Sequence, residues 1–494
     1  MKTRKFVDTT ATASLFAFSF GRRPKSSCAA KLNGWKTNCA IFLFCAATAL
    51  ASPANTFKTL VNFDGTNGAT PVYTSLVQGR DGDFYGTTLG GGANGAGTVF
   101  KITSGGAVTI LYSFCSQANC ADGSGPYAGL VQANDGNFYG TTYQGGASGI
   151  FGTVFKITPG GAFTTLHSFN LADGAGPFAA LVQATNGNFY GTTSGGGPSN
   201  AGTVFKITPS GTLTTLHTFD GSDGAQPVAA LVQAANGDFY GTTPYGGSYG
   251  TVFKITPSGT LTTLHSFNLT DGSFPNGLIQ ATDGNFYGTT YGGGTPNICY
   301  GNGCGTIFKI TPQGTLTTLH DCDSVDGTNP VAVLDQGSDG NFYGTTYAGG
   351  NRGSWGTVFE VTPSGTLTTL HSFGLTDGAQ PYGAVAQATS GIFYGTATNG
   401  GANNDGTLFS LAVGLGPFVE TQPASGKVGA KVIILGTDLT GTTSVTFHGT
   451  PAIFTVVSKS EIRTSVPAGA TTGKVTVKIP SNTLLSNVPF RVRP

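Results

Sequence analysis

The chain has 494 residues, of which only 10% are charged; its net charge is +1 and it holds 79 glycines. So little charge, with no basic stripe in the repeated segments, argues against a nucleic-acid binder, which rests on many phosphate contacts. Val, Ile, Leu, Phe and Tyr recur throughout at strand spacing, which argues against a disordered chain.

The first fifty residues differ from the rest. Residues 1–38 carry Lys2, Arg4, Lys5, Arg22, Arg23, Lys25, Lys31 and Lys36 against one acid, Asp8. An apolar run from Cys39 to Ala47 follows, and then Ala49-Leu50-Ala51. Basic, then apolar, then small residues form the pattern of a secretory signal, so residues 1–51 read as a signal peptide with a long basic n-region. The apolar run is shorter than the roughly twenty residues of a membrane span, so no transmembrane anchor is expected. The expected location is secreted or extracytoplasmic, at the cell surface or in the periplasm.

The mature chain begins with Phe57-Lys-Thr-Leu-Val-Asn-Phe63 and then repeats itself. FYGTT starts at Phe84, Phe138, Phe189, Phe239, Phe286 and Phe342, and FYGTA at Phe393. Each copy is followed, after a Gly-rich stretch, by GT(V/I/L)F, starting at Gly97, Gly152, Gly202, Gly250, Gly305, Gly356 and Gly406. A period of about fifty residues with strand formers in every copy is the signature of a radial or stacked β array.

The fifth copy shows the strand plan. Gly277-Leu-Ile-Gln-Ala is a short apolar strand, Thr282-Asp-Gly-Asn a tight turn, and Asn285-Phe-Tyr-Gly-Thr-Thr a second strand. A Gly-rich loop leads to the third strand, Gly305-Thr-Ile-Phe-Lys-Ile-Thr. Pro312-Gln-Gly makes the second turn, and Thr315-Leu-Thr-Thr-Leu-His is the fourth strand. An Asp-Gly-x-x-Pro phrase then opens the next copy. Four antiparallel strands in a meander make one propeller blade. The segment at Phe57 matches a fourth strand with nothing before it, and the last copy lacks a fourth strand. Pairing these two ends completes one blade and leaves no open sheet edge. The expectation is an all-β chain with a seven-bladed propeller over residues 56–414, closed by its N-terminal strand.

The mature chain keeps five cysteines. Cys115 and Cys120, and Cys299 and Cys304, share one C-x4-C spacing and read as two local disulfides, each stabilising by roughly 2 kcal/mol in the chain-entropy view. Cys322 is left over and reads as a buried thiol. No CxxC is present, so a zinc site is disfavoured.

Catalytic patterns are missing. Glycoside hydrolysis needs two facing carboxylates, and the chain has only three Glu, at 360, 420 and 461. Walker and HExxH motifs are absent. His167, His217, His265, His320 and His371 lie in fourth strands of different copies and cannot converge on one ion. Asp122, Asp173, Asp223, Asp271, Asp326 and Asp377, with Asn67 in the first copy, each precede a Gly and read as turn-setting residues. Asp321, Asp323 and Asp326 form the densest acidic group, the weak best case for calcium. No catalytic, metal or cofactor residue is therefore assigned.

One face carries the binding expectation. In a meander the loop between the second and third strands and the loop leading into the next copy emerge together. Both expected disulfides would brace that face. It also gathers Tyr143, Tyr245, Tyr291, Tyr347 and Trp355, the one Trp of the mature chain. Aromatic rings with few charges suit a neutral carbohydrate or peptide, because they bury area and keep a polar handle; padding between blades is the plainer use of the same rings.

The phrase DGNFYGTTYGGG…GTVFKITPSGTLTTLHSF resembles the GloVer tandem repeat, the Gloeobacter/Verrucomicrobia-type repeat of exported bacterial proteins, in all seven copies. It is more distantly similar to NHL-type and streptogramin-lyase-type propellers. The resemblance implies a propeller and export rather than a reaction. From Pro417 the idiom changes: Pro423, Gly426 to Gly429, Ile433-Ile-Leu-Gly, Val445-Thr-Phe, Val466-Pro and Gly473-Lys-Val-Thr-Val resemble an IPT/TIG domain, an immunoglobulin-like sandwich expected over residues 417–494. The functional expectation is an exported, non-catalytic binding or scaffold protein. The alternatives are a lyase or hydrolase acting on a polymer or cyclic peptide at the channel mouth, and a structural cell-surface repeat protein.

Overall fold

The computed structural model describes residues 55–295, 299 and 303–493. The basic and apolar leader expected as a signal peptide lies outside the described residues. Among the described residues every regular element is a strand except one short 3-10 turn, Ala118–Cys120.

Each copy of the repeat builds an antiparallel sheet in which sequence neighbours pair. In the third copy Val182–Gln183, Phe189–Thr193, Thr203–Ile207 and Leu213–Thr218 lie side by side in chain order. The N-terminal strand Thr56–Asn62 instead joins the last copy, where it pairs antiparallel with Thr407–Ala412 and sets Thr59 opposite Phe409.

The recurrent phrase is structural at every residue. Phe189 to Thr193 are all buried. The Tyr190 ring stacks on Phe239 of the next copy at 4.1 Å between centroids. The same contact links Tyr85 to Phe138 and Tyr343 to Phe393, and Tyr394 of the last copy meets Phe84 of the first at 4.1 Å. Gly191 lies under the Phe205 ring: a Cβ there would sit 2.6 Å from Phe205 Cζ, so any larger residue must displace a core aromatic. The Thr192 hydroxyl donates to the Ala229 carbonyl of the next copy at 3.3 Å. The Thr193 and Thr203 hydroxyls bond to each other at 2.8 Å across the second and third strands. A Gln in the first strand adds another tie between copies. Gln233 Oε1 accepts from Thr185 N at 2.9 Å, and Gln78 Oε1 of the first copy accepts from Thr389 N of the last, also at 2.9 Å.

The first strand is shorter than the five-residue run expected from the sequence. In the third copy only Val182–Gln183 is in the ladder. The residues before it accept from Thr side chains of the neighbouring copy, as where Thr141 donates to Ala179 O at 3.1 Å. The fifth copy departs from this, with an eight-residue strand, Ser273–Gln280.

The C-terminal region is a two-sheet sandwich. Glu420–Gln422, Lys431–Leu435, Glu461–Ser465 and Phe454–Val456 form one sheet, and Thr450–Pro451, Ser444–Phe447, Val475–Ile479 and Asn482–Leu485 the other. Alternating inward residues, among them Val432, Ile434, Val445, Phe447, Val475 and Val477, make its core. The sandwich meets the repeats at the turns after the first strands. Ser460 Oγ donates to Arg80 O at 2.7 Å, and the Thr437 and Thr389 hydroxyls lie 3.0 Å apart.

Candidate functional site

The two loop sets expected on one face do meet. Ala175 bridges Gly195, and Ala225 bridges Tyr245, each joining the loop that enters a copy to the loop between its second and third strands. The Pro of Asp-Gly-x-x-Pro is the positioning element. Gly202, with φ +98°, comes so close to Pro227 of the next copy that a Cβ would lie 2.8 Å from the proline Cδ. Only glycine tolerates both that conformation and that approach. The docked prolines then deliver the residues after them to a common cavity.

That cavity, of about 80 Å³, is lined by the segments after the prolines in successive copies, including Ala128, Ala179, Ala229, Gly277, Ala332 and Ala384. Its rim is uneven. Tyr73, Phe178 and Tyr382 line one side, while Val228, Asn276 and Val331 line the other. The rings form a connected group: Tyr382 to Tyr73 at 5.2 Å, Tyr73 to Phe178 at 5.6 Å, and Phe178 to Tyr127 at 4.3 Å between centroids. Among the described residues no acidic, basic or imidazole side chain lines the cavity. Burial, reinforced by Tyr291 and Tyr127, pushes the Tyr73 hydroxyl up to about 12. Burial also raises Tyr127 and Tyr382. All three stay neutral phenols in ordinary buffers, so they present hydroxyl donors without charge.

The sequence-flagged aromatics divide between two settings. Tyr143 packs on Tyr127 and Phe178, and Tyr347 on Tyr382 with its hydroxyl accepting from Gln380 Nε2 at 2.6 Å. Tyr291, 41% exposed, is near enough to raise the hydroxyls of both Tyr73 and Tyr382. Tyr245 instead pairs with Phe274 and is half exposed, and Trp355 packs on the hydrophobic cluster of Phe373 and Phe409. Sequence reading missed Tyr73, Tyr127, Phe178 and Tyr382. The signal was present in the residue after each Pro and in one count: most copies place three residues between that Pro and the next core position, whereas the first copy places four, Val72 to Ser75. The extra residue lets Tyr73 in, at φ +47°, a conformation that a bulky side chain seldom adopts.

The histidines and acids flagged singly are partners. His167, His217, His265 and His320 place Nε2 within 2.6–3.0 Å of Asp173, Asp223, Asp271 and Asp326, and His371 lies 3.3 Å from Asp377. The constant six-residue spacing was legible. In the first copy Tyr112 replaces the His: its hydroxyl donates to Asp122 at 2.7 Å. Burial works to raise the Asp122 carboxyl, but hydrogen bonds from Tyr112, Ser116 and Gln117 outweigh it and hold it below its ordinary value. In the acidic group, Asp323 Oδ1 accepts from Val325 N and Asp326 N, and Asp321 accepts from the Thr295 hydroxyl. Among the described residues no three metal-binding side chains converge. Both disulfides are formed, Cys115–Cys120 and Cys299–Cys304, and Cys322 is a buried free thiol.

A family model described as the Gloeobacter/Verrucomicrobia repeat matches residues 33–250 and 234–450. The chain belongs to this family. An IPT/TIG domain matches residues 419–492, the region of the sandwich. Comparison with curated proteins finds no match. Solved structures with similarity include an extracellular domain assigned to a hybrid two-component system of B. thetaiotaomicron, at 13% identity and TM-score 0.49, over 89% of this chain and 58% of that one. The chain thus spans somewhat over half the length of that structure. Two others are a gluconolactonase from Xanthomonas campestris (14% identity, TM-score 0.40, 74% of this chain and 92% of that one) and a protein assigned as a 6-phosphogluconolactonase from Bacteroides fragilis (18%, 0.42, 63% and 86%). At such identities nothing about the chemistry of this repeat protein follows from theirs.

Proposed function

We propose that the repeats, residues 56–414, close into a seven-bladed propeller whose loop face binds a neutral ligand, a carbohydrate or a peptide, without transforming it. Closure is supported by contacts that return on themselves. The Tyr-to-Phe stack, the Gln-to-backbone bond and the Thr-to-carbonyl bond each run from copy to copy, and each also links the last copy to the first through Tyr394–Phe84, Thr389–Gln78 and Thr396–Thr74. In this reading the chain is exported behind a signal peptide of residues 1–51, and the sandwich of residues 417–494 acts as a spacer on the face away from the ligand. The disulfides and the extracytoplasmic setting of the family's export pattern agree with that location.

The observation that carries the binding role is the uncharged aromatic rim of Tyr73, Tyr127, Phe178 and Tyr382 over an Ala- and Gly-lined cavity. Stacked rings supply area, phenol hydroxyls supply direction, and none of the described residues that line the cavity is an acid, a base or an imidazole. A cavity of about 80 Å³ admits a small group, a methyl or acetyl tip, while the rest of the ligand lies across the rings.

The test is a screen of the mature chain on neutral glycan and apolar peptide arrays. The expected hits weaken at least tenfold, about 1.4 kcal/mol, in Tyr382→Ala and hold in Tyr245→Ala, which is remote from the rim. An absence of hits, or hits indifferent to Tyr382→Ala, overturns the reading. Turnover of any arrayed ligand overturns its non-catalytic half.

A further inference from the structure

The repeats carry an internal control for the cysteines. Six copies end their fourth strand on a Phe that is at most 1% exposed: Phe63, Phe114, Phe169, Phe219, Phe267 and Phe373. The backbone N–H of each of these positions bonds to the Gly that opens a third strand, as Phe219 does to Gly202 at 3.0 Å and Phe373 to Gly356 at 2.9 Å. The residue just before that Gly packs in the same cluster: Ala201 with Phe219, Phe151 with Phe169, and Trp355 with Phe373. The two positions therefore face each other in copy after copy.

In one copy both positions are cysteine. Cys322 replaces the Phe and keeps its backbone bond, to Gly305 at 3.0 Å, and Cys304 is the residue before that glycine. Cys304 and Cys322 are each 1% exposed and share one cluster, against which Cys299 packs. Replacing a buried Phe with Cys forfeits core volume, which normally destabilises. That one departure falls beside Cys304, which packs in the same cluster and already belongs to a disulfide, and it calls for a chemical reason.

We propose that Cys299, Cys304 and Cys322 form a thiol–disulfide exchange site. The Cys322 thiolate attacks Cys304 Sγ in line with the existing bond. The Cys304–Cys322 bond forms and the Cys299–Cys304 bond breaks. Cys299 leaves as the thiolate and takes up the proton that Cys322 gave to solvent. No oxidant or reductant is consumed. The product places its disulfide between two buried positions and ties the third strand to the fourth across a longer loop, which restricts the unfolded chain more than the short C-x4-C loop does. It also frees Cys299, the half-buried member of the set, as the accessible thiol of the loop face. Burial, with Asp326, Asp321 and Asp323 nearby, keeps the Cys322 thiol protonated near neutrality, so the exchange is slow there and accelerates with pH.

Trypsin makes the outcome directly visible. Cys299 and Cys304 lie in one peptide, residues 255–309, and Cys322 in the next, residues 310–352. The mature protein, purified without reductant, is incubated between pH 7 and 9, denatured in N-ethylmaleimide at acidic pH, digested and mapped. The expected result is a cross-linked pair of these two peptides, with the maleimide moving from Cys322 to Cys299 about tenfold faster per pH unit. Maleimide on Cys322 alone at every pH overturns the proposal. Cys299→Ser, produced in an oxidising compartment, is expected to hold the Cys304–Cys322 bond and no free thiol in this set; two free thiols overturn it equally. Cys322→Phe, which restores the residue of the other copies, is expected to fix Cys299–Cys304 and to abolish the pH-dependent labelling.

Discussion

The inner strands and the loop face of the repeats obey opposite rules. Along the second and third strands the copies are nearly identical, because each side chain has a fixed partner in its own sheet or the next: Tyr190 against Phe239, Thr192 on Ala229 O, Thr193 on Thr203, Gly191 beneath Phe205. On the loop face the copies diverge. The residue after the proline is Tyr127, Phe178, Val228, Asn276, Val331 or Tyr382, and the first copy inserts Tyr73. Sameness among copies therefore marks the fold, and departure from sameness marks the places where one copy does something the others do not. The aromatic rim and the three-cysteine set were both found as departures.

The sharpest way to break this comparison is to truncate one identical position and one divergent one. Phe205 is fully buried, and Phe205→Ala is expected to cost about 3–5 kcal/mol by denaturant unfolding. Tyr245→Ala, at a half-exposed position on the loop face, is expected to stay within about 0.5 kcal/mol of the parent. Equal losses at the two positions would mean that the loop face is as much a part of the core as the strands are.

A smaller effect sharpens the same point. Gly191 has ordinary backbone geometry, so Gly191→Ala on strand propensity alone is expected to stabilise slightly. Because its Cβ would meet Phe205 Cζ at 2.6 Å, the expected outcome is instead a loss of about 1–3 kcal/mol from overpacking. Pairing it with Phe205→Leu, which shortens the opposing side chain, is expected to recover part of the loss, and a double-mutant cycle gives the coupling.

The period, the strands and the pairing of Thr59 with Phe409 were legible in the sequence because they depend on local alternation and on comparison among copies. The rim was only half legible. Tyr143, Tyr291 and Tyr347 follow the second strand and were visible as aromatics in a loop. Tyr127, Phe178 and Tyr382 sit beside a proline whose docking on a glycine of the neighbouring copy sends them to the cavity, and that contact is long-range. Composition also misplaced emphasis: Trp355 drew attention as the one Trp beyond residue 51, yet its ring packs in the cluster of Phe373. The His and Asp residues were each read singly, although their constant spacing made pairs of them.

Those pairs give the smallest expected effect and the finest comparison, between two copies at one equivalent position. His320 is bonded to Asp326 at 2.6 Å, and this bond, helped by Asp321 and Asp323, raises the imidazolium above its ordinary value despite burial. A group raised on folding stabilises fully below the unfolded value near 6.5, and loses that contribution as pH rises through the folded value. His371 goes the other way. Burial lowers it, Arg352 adds to the lowering, and Asp377, shared with Arg352 Nη1 at 3.0 Å, opposes both without prevailing. Its ring lies flat on Phe57 at 3.6 Å, a contact that a neutral imidazole keeps at no electrostatic cost. Stability from a lowered group is present above the unfolded value and is lost as pH falls through the folded one. His320→Gln is therefore expected to cost more at pH 5.5 than at pH 8.5, and His371→Gln more at pH 8.5 than at pH 5.5. Ion pairs that keep contact with solvent contribute about 0.2–1 kcal/mol, so the readout is the sign of the pH dependence in matched denaturant titrations rather than its size. Slopes of the same sign would show that Arg352 does not separate the two copies, and that the repeats treat this position as uniformly as they treat the phrase itself.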